Sequence, residues 1–336
     1  MINQRSSPRF ASLAGLFCRI FICLLLSIAL PGLSYAAAEA DGYLTTADGL
    51  RLFYRQLGSG PKGVLVPNGH YLIKDFAQLA DSEHTFIFYD LRNRGRSDAV
   101  KDSASTSGGI QQEVEDLEAV RRHFHMDKAA IIGHSFVGLV ALLYAMEYPQ
   151  HVERIVQIDA VAPPTNRKYP PNLVRTDRAL NEAITKNIAA FAKKAAGMTQ
   201  EQACRGFWDI IRVYYVTDAK DAVKLDDYCQ YPNEWNWGRY FSANIQPSIQ
   251  SLQLTNAQLA KVVMPVLVIH GTADRVSPYG AGREWALLLP GARLLTIKDG
   301  SHYPWIEAPA RVFGSIHDFL NGGWPKDAEK VTRIAP

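Results

Sequence analysis

Three short apolar runs punctuate the chain, and each ends in a turn that carries a polar residue. Ala129–Ile132 contains no polar side chain, and Phe136–Tyr148 beyond it repeats apolar residues at helical spacing until Pro149 stops the pattern. Val262–Ile269, interrupted only by Pro265, and Leu294–Ile297 are of the same kind. Runs this short and this uniformly apolar suit strands buried on both faces of a parallel sheet. Strand, turn and helix in succession predict an α/β chain with a mostly parallel, doubly wound sheet.

The first 36 residues follow a different pattern. Arg5, Arg9 and Arg19 precede an apolar stretch from Ile20 to Leu30, and Ser34 and Ala36 provide small residues at cleavage spacing. The stretch is too short to span a bilayer comfortably, so it reads as a signal peptide cleaved near Ala36 to Ala38, leaving no stable membrane anchor. The expected location is secreted or periplasmic. An uncleaved anchor reaching back to Phe10 would put Arg19 inside the membrane at considerable cost. Composition changes the picture little: 47% hydrophobic residues, 21% charged residues and a net charge of +3 describe a globular domain without the basic field that nucleic acid requires. Once the leader is removed, Cys204 and Cys229 are the cysteines left. Export invites them to pair, the alternative being two reduced, buried thiols; pairing would close a loop of roughly 25 residues and stabilise the fold by about 3 kcal/mol.

The turns after the three runs hold Ser135 in Gly133-His134-Ser135-Phe136-Val137-Gly138, Asp274 in His270-Gly271-Thr272-Ala273-Asp274, and His302 in Gly300-Ser301-His302-Tyr303. A serine hydroxyl is a weak nucleophile until a base takes its proton and a carboxylate orients that base. All three groups follow the carboxyl ends of predicted strands, where an open α/β sheet places its ligand crevice. The order Ser, Asp, His is that of the α/β-hydrolases rather than of the chymotrypsin or subtilisin folds.

On these motifs the chain resembles the α/β-hydrolase superfamily from about Tyr43 to Leu320. Val64-Leu65-Val66-Pro67-Asn68-Gly69-His70 looks like the family's third strand and oxyanion loop, and Tyr89-Asp90-Leu91-Arg92-Asn93-Arg94-Gly95-Arg96-Ser97 like the turn after its fourth strand, a structural element. The resemblance implies oxyanion donors at the backbone N–H groups of His70 and Phe136. It also implies a core at 41–162 and 261–322, a helical cap at 163–260 inserted after the sixth strand, and a flexible tail at 323–336. Two positions depart from the family pattern. Val137 stands where the elbow normally has its second glycine, which implies a shifted helix or an unusual local fit, and Asn68 replaces a common histidine.

The implied activity is that of a serine hydrolase acting on a carboxylic ester or amide, with a small-molecule ester or a short peptide as its partner and with no cofactor or metal. Proline iminopeptidase-like members of the family are similar in the cap and the 89–97 turn, and Glu234 beside Trp235 and Trp237 is then the candidate for binding a substrate amino group. A ligand receptor with little or no turnover is a further alternative. Nine aromatic residues lie between Trp208 and Phe241, two or three of which are expected to reach the ligand. Tyr71, His134, Trp208, Glu234, Trp235 and Trp237 are the substrate-contact candidates, although for His134 packing beneath the elbow is the stronger expectation. Asp159 is a second position for the triad acid, less favoured than Asp274. His123-Phe124-His125-Met126-Asp127 mimics a metal-binding string but has no matching downstream ligands. Sequence alone leaves the oligomeric state open.

Overall fold

The computed structural model describes residues 39–100 and 108–335, so the expected signal segment 1–36 lies outside the described residues. Eight strands form one sheet: β1 (Glu39–Thr45), β2 (Arg51–Leu57), β3 (Lys62–Pro67), β4 (His84–Tyr89), β5 (Ala129–His134), β6 (Val152–Ile158), β7 (Val266–Gly271) and β8 (Ala292–Ile297). Their spatial order is β1-β2-β4-β3-β5-β6-β7-β8. β2 runs antiparallel to both neighbours, and β3 to β8 are mutually parallel.

Alternation of side chains along these strands divides the core in two. Leu65, Ile131, Ile155 and Val268 face one side, with helices α2 (Ile110–His123) and α3 (Phe136–Glu147) and Trp285. Val66, Ile132, Val156 and Ile269 face the other, with α1 (Gly69–Phe76) and the helix Pro309–Leu320. α3 is buried from Phe136 to Met146, which explains why its sequence is apolar on all sides. The chain proceeds from β3 to β4 on one side and then returns to β5 on the other. The switch point between β3 and β5 is where the carboxyl ends of an α/β sheet leave a crevice, and α1 and α3 start there.

Residues between β6 and β7 form helices α4 (Arg178–Ala195) and α5 (Gln200–Ile211) followed by short 3-10, α and π turns. Asp177 caps α4 by accepting from the Leu180 N–H, and Thr199 and Gln202 form a capping box on α5. Cys204 and Cys229 form a disulfide with Cα atoms 5.8 Å apart, inside a small core with Trp208, Val216 and Leu225.

Residues 323–335 are not the flexible tail expected from sequence. Glu329 pairs with Leu294 of β8 in an antiparallel bridge, Arg283 donates to the carbonyls of Arg333 and Ile334, and Ala328 and Val331 are buried. Backbone pairing and a buried arginine hold this segment. Among the described residues no helix is long and apolar enough to cross a membrane.

Candidate active site

Ser135 stands between β5 and α3 at φ 58° and ψ −130°, a conformation that costs a non-glycine residue energy and marks a constrained turn. Its N–H donates to the Ile158 carbonyl, and its own carbonyl accepts from Gly138. The turn has no room for side chains on its two glycines. A Cβ on Gly133 would lie 2.7 Å from the Val137 oxygen, and one on Gly138 would lie 2.8 Å from the Ala160 Cβ. Val137 itself points into the core and is fully buried. The helix starts directly at Phe136, and the close approach to β6 falls on Gly138.

Asp274 follows β7 in a turn braced against the loop of His302, with Ala273 N–H donating to Gly300 O and Thr272 N–H to Ile297 O. Its Oδ1 accepts from the N–H groups of Val276 and Ser277, and its Oδ2 lies 2.8 Å from His302 Nδ1. Burial alone would raise this carboxyl, but the His302 ring and the backbone donors hold it below its ordinary value. With Nδ1 beside Asp274, Nε2 is the ring nitrogen that faces away from the acid. Among the described residues no hydrogen bond yet joins Nε2 to Ser135 Oγ, a link that commonly tightens only with substrate in place.

His134 connects these parts from below. Its Nε2 lies 2.7 Å from the His302 carbonyl, which can only accept, so Nε2 carries the proton. Nδ1 then accepts from the Tyr71 hydroxyl at 2.7 Å. Burial holds the imidazole far below its ordinary pKa, so it stays neutral in this role. β5, α1 and the His302 loop are thereby tied through one ring.

A second carboxylate adjoins the acid. Asp159, at φ 42° after β6, is fully buried; its Oδ1 accepts from the Gly271 N–H and lies 3.6 Å from His270 Nε2. Burial and the nearby Asp274 charge push its carboxyl well above the usual range, which favours its neutral form beside Asp274. Asp274, not Asp159, holds His302. Asp159, His270 and Asp274 each bring one potential ligand atom within 4.8 Å of the others. Both Asp274 oxygens accept hydrogen bonds and His270 Nε2 donates to the Ser277 carbonyl, whereas His270 Nδ1 and Asp159 Oδ2 are buried without a hydrogen-bond partner among the described residues.

His70 lies in the first turn of α1 and Phe136 in the first turn of α3, positions whose N–H groups find no carbonyl within their own helix. Asn68 precedes α1 in the left-handed region at φ 70°, and a Cβ on Gly69 would lie 3.0 Å from Phe88 Cβ and Tyr89 N.

A family profile of the α/β hydrolase fold matches residues 60–309. The chain belongs to the α/β-hydrolase fold family. It is 23% identical over 289 residues to a proline iminopeptidase of Saccharolobus solfataricus, covering 80% of this chain and 87% of that relative. Solved structures similar to this hydrolase-fold chain include a serine hydrolase from Cycloclasticus zankles, at TM-score 0.64 and 15% identity over 85% of this chain and 99% of that one. Another is an esterase from Exiguobacterium antarcticum, at TM-score 0.61 and 16% identity over 84% of this chain and all (100%) of that one. At these identities the structural likeness speaks for the fold.

The substrate-contact candidates of this α/β-hydrolase separate once placed. Tyr71 and His134 are buried and bonded to each other, so they brace the crevice rather than line it. Trp208 is 3% exposed in the small core beside the disulfide, and Trp235 Nε1 donates to the Cys229 carbonyl; both hold the inserted segment together. Glu234 is not the surface acid that an amine would need. Its side chain is fully buried and accepts from Arg94 Nη2 at 2.7 Å, from Arg94 Nε at 3.2 Å and from the Gly95 N–H at 2.8 Å. Trp237 does reach the surroundings of Ser135, with its ring 6.0 Å from that of Phe136, and Phe241 lies 5.5 Å from the same ring. Tyr215 approaches His302, ring to ring at 5.7 Å. Arg94 went unnoticed as more than a turn residue. Its guanidinium lies 4.1 Å from the centre of the Trp237 ring, a contact no local pattern announces. Within the metal-like string 123–127, His123 and Phe124 pack on Tyr54, and the Asp127 carbonyl accepts from His151.

Proposed function

We propose that this protein is a serine hydrolase that cleaves carboxylic esters with an apolar acyl or alcohol group through an acyl-enzyme. The observation that carries the reading is the 2.8 Å Asp274–His302 pair on a loop tied, through His134, to the strained elbow of Ser135. His302 takes the Ser135 proton as Oγ attacks the carbonyl carbon, while Asp274 fixes the tautomer and stabilises the imidazolium. The N–H groups of His70 and Phe136 receive the oxyanion. Collapse expels the alcohol, which takes its proton from His302. Water, activated by the same imidazole, then releases the acid and frees Ser135.

Ester cleavage is preferred to aminopeptidase action because Glu234, the acid available to an amino group, is already neutralised by Arg94. Phe136, Trp237 and Phe241 support an apolar substrate group. Export to an oxidising compartment is supported by the leader-like first 36 residues and by the Cys204–Cys229 bond.

Hydrolysis of a panel of p-nitrophenyl esters by the purified protein tests the reading. Ester turnover that falls on the order of 10⁴-fold or more in Ser135→Ala is expected. Turnover untouched by that substitution would refute it, and a preference for prolyl p-nitroanilide would move the assignment to an aminopeptidase.

A further inference from the structure

We infer that Glu234, from the segment inserted after β6, is a positioning residue for the oxyanion donor His70 and acts through Arg94. The inference rests on the proposed serine chemistry only for its consequence in rate, because the linkage itself is geometric. Arg94 leaves the turn after β4 with its side chain 6% exposed and divides its donors between two elements. Nη1 donates to Asn68 Oδ1 at 3.1 Å, and Nε and Nη2 donate to the Glu234 carboxylate. Glu234 Oε1 also lies 3.5 Å from His70 Nε2 and accepts from the Gly95 N–H. Gly95 has φ +48°, and a Cβ there would come within 2.9 Å of the His70 Cβ. The His70 side chain is thus packed between the 89–97 turn and Glu234.

The peptide that presents the oxyanion donor joins Gly69 to His70, and this network grips it at both ends. On one side Arg94 holds the Asn68 amide, whose left-handed backbone sets the direction in which α1 begins. On the other, Glu234 and Gly95 confine the His70 ring. Asn68, the departure from the family pattern, is thereby explained: its amide oxygen is an acceptor that a guanidinium can address directly. Glu234 lies 140 residues from Arg94 in sequence, so the grip exists only when the inserted segment is seated. Seating of that segment and orientation of the donor are one event. Donors aimed in advance at the developing charge are what an oxyanion hole supplies, so a loosened peptide should slow chemistry more than it weakens binding.

The test uses the full chain with Glu234→Gln and with the double variant Arg94→Met/Glu234→Met, which removes both charges and leaves no buried ion unpaired. Thermal melting establishes that each is folded, p-nitrophenyl butyrate gives kcat and KM, and amide hydrogen exchange reports on residues 67–72. Either folded variant should lose roughly 10- to 100-fold in kcat with KM within about threefold, since one misdirected donor costs less than the 10²–10³ of a deleted one. Exchange over 67–72 should quicken about tenfold or more, while that of α3 stays unchanged. A kcat within about twofold of the native protein in a folded variant, or a loss confined to KM, would overturn the inference. Absence of ester turnover in the native protein would refute the proposed function instead, and unchanged protection over 67–72 in the variants would still overturn the linkage.

Discussion

Two buried polar clusters flank Ser135, and they balance charge in opposite ways. Beside His302, Asp159, His270 and Asp274 bring two carboxyl groups together with, among the described residues, no arginine or lysine bonded to either, and the Asp159 carboxyl is pushed toward its neutral form. Beside His70, Arg94 and Glu234 form an ion pair with both side chains nearly or fully buried, and each charge is matched. The first cluster is built from the ends of β6 and β7, neighbours in the sheet. The second is built from a turn of the core and a residue of the inserted segment. Taking one member away should therefore have opposite consequences: little where a proton has already absorbed the conflict, much where a charge is left alone.

The largest expected effect sharpens the difference between the two acids of the first cluster. Asp274→Asn should lower kcat for an ester by on the order of 10⁴-fold, because the amide favours the wrong tautomer of His302 while the fold persists. A loss no greater than that of Asp159→Asn would dissolve the distinction. Arg94→Ala addresses the second cluster by stability: it leaves Glu234 buried without its partner and should cost about 3–5 kcal/mol in urea unfolding. A cost below about 1 kcal/mol would mean that the pair is weakly coupled to its surroundings.

The smallest effect is that of Asp159→Asn, an isostere of the neutral form, expected to leave kcat within about threefold of native. Its signature is the pH dependence of stability. In the unfolded chain Asp159 ionises near its ordinary pKa of about 4, while the folded chain retains the proton well above that. The folded state then binds one proton more, so this group's contribution is full below about pH 4 and is lost as pH rises toward the elevated folded value. Asp159→Asn removes that loss, and its melting temperature should decline less than the native one between about pH 5 and pH 8. A parallel decline in both proteins would show Asp159 to be ionised in the folded state.

The same contrast explains what was legible in sequence. Ser135, Asp274 and His302 each follow an apolar run whose composition alone demands a buried strand, so their placement past the carboxyl ends of parallel strands follows from the sheet. Asp159 was visible for the same reason. The elbow was legible in kind but not in detail: the close approach falls on Gly138, which depends on Gln157 and Ala160 opposite it. Glu234 reads in sequence as an acid for a substrate amino group because nothing near it in sequence carries its counter-charge. Its partner comes from the β4 turn, where three arginines are chemically equivalent until their carboxylates are known: Asp116 and Asp48 for Arg92, Glu234 for Arg94 and Asp90 for Arg96. His134 similarly hides its role, since only the fold brings the His302 carbonyl and the Tyr71 hydroxyl to its two nitrogens. Residues 323–335 have the composition of a tail, and only Glu329 beside β8 and the reach of Arg283 show that they are held.

The central claim is that Ser135 is an activated nucleophile, and reaction with a fluorophosphonate followed by peptide mass mapping tests it most directly. A single adduct on the peptide containing Ser135, formed by the folded native protein and strongly slowed in Asp274→Asn, is the predicted result. No adduct on well-folded protein, or an adduct on another residue, would contradict it.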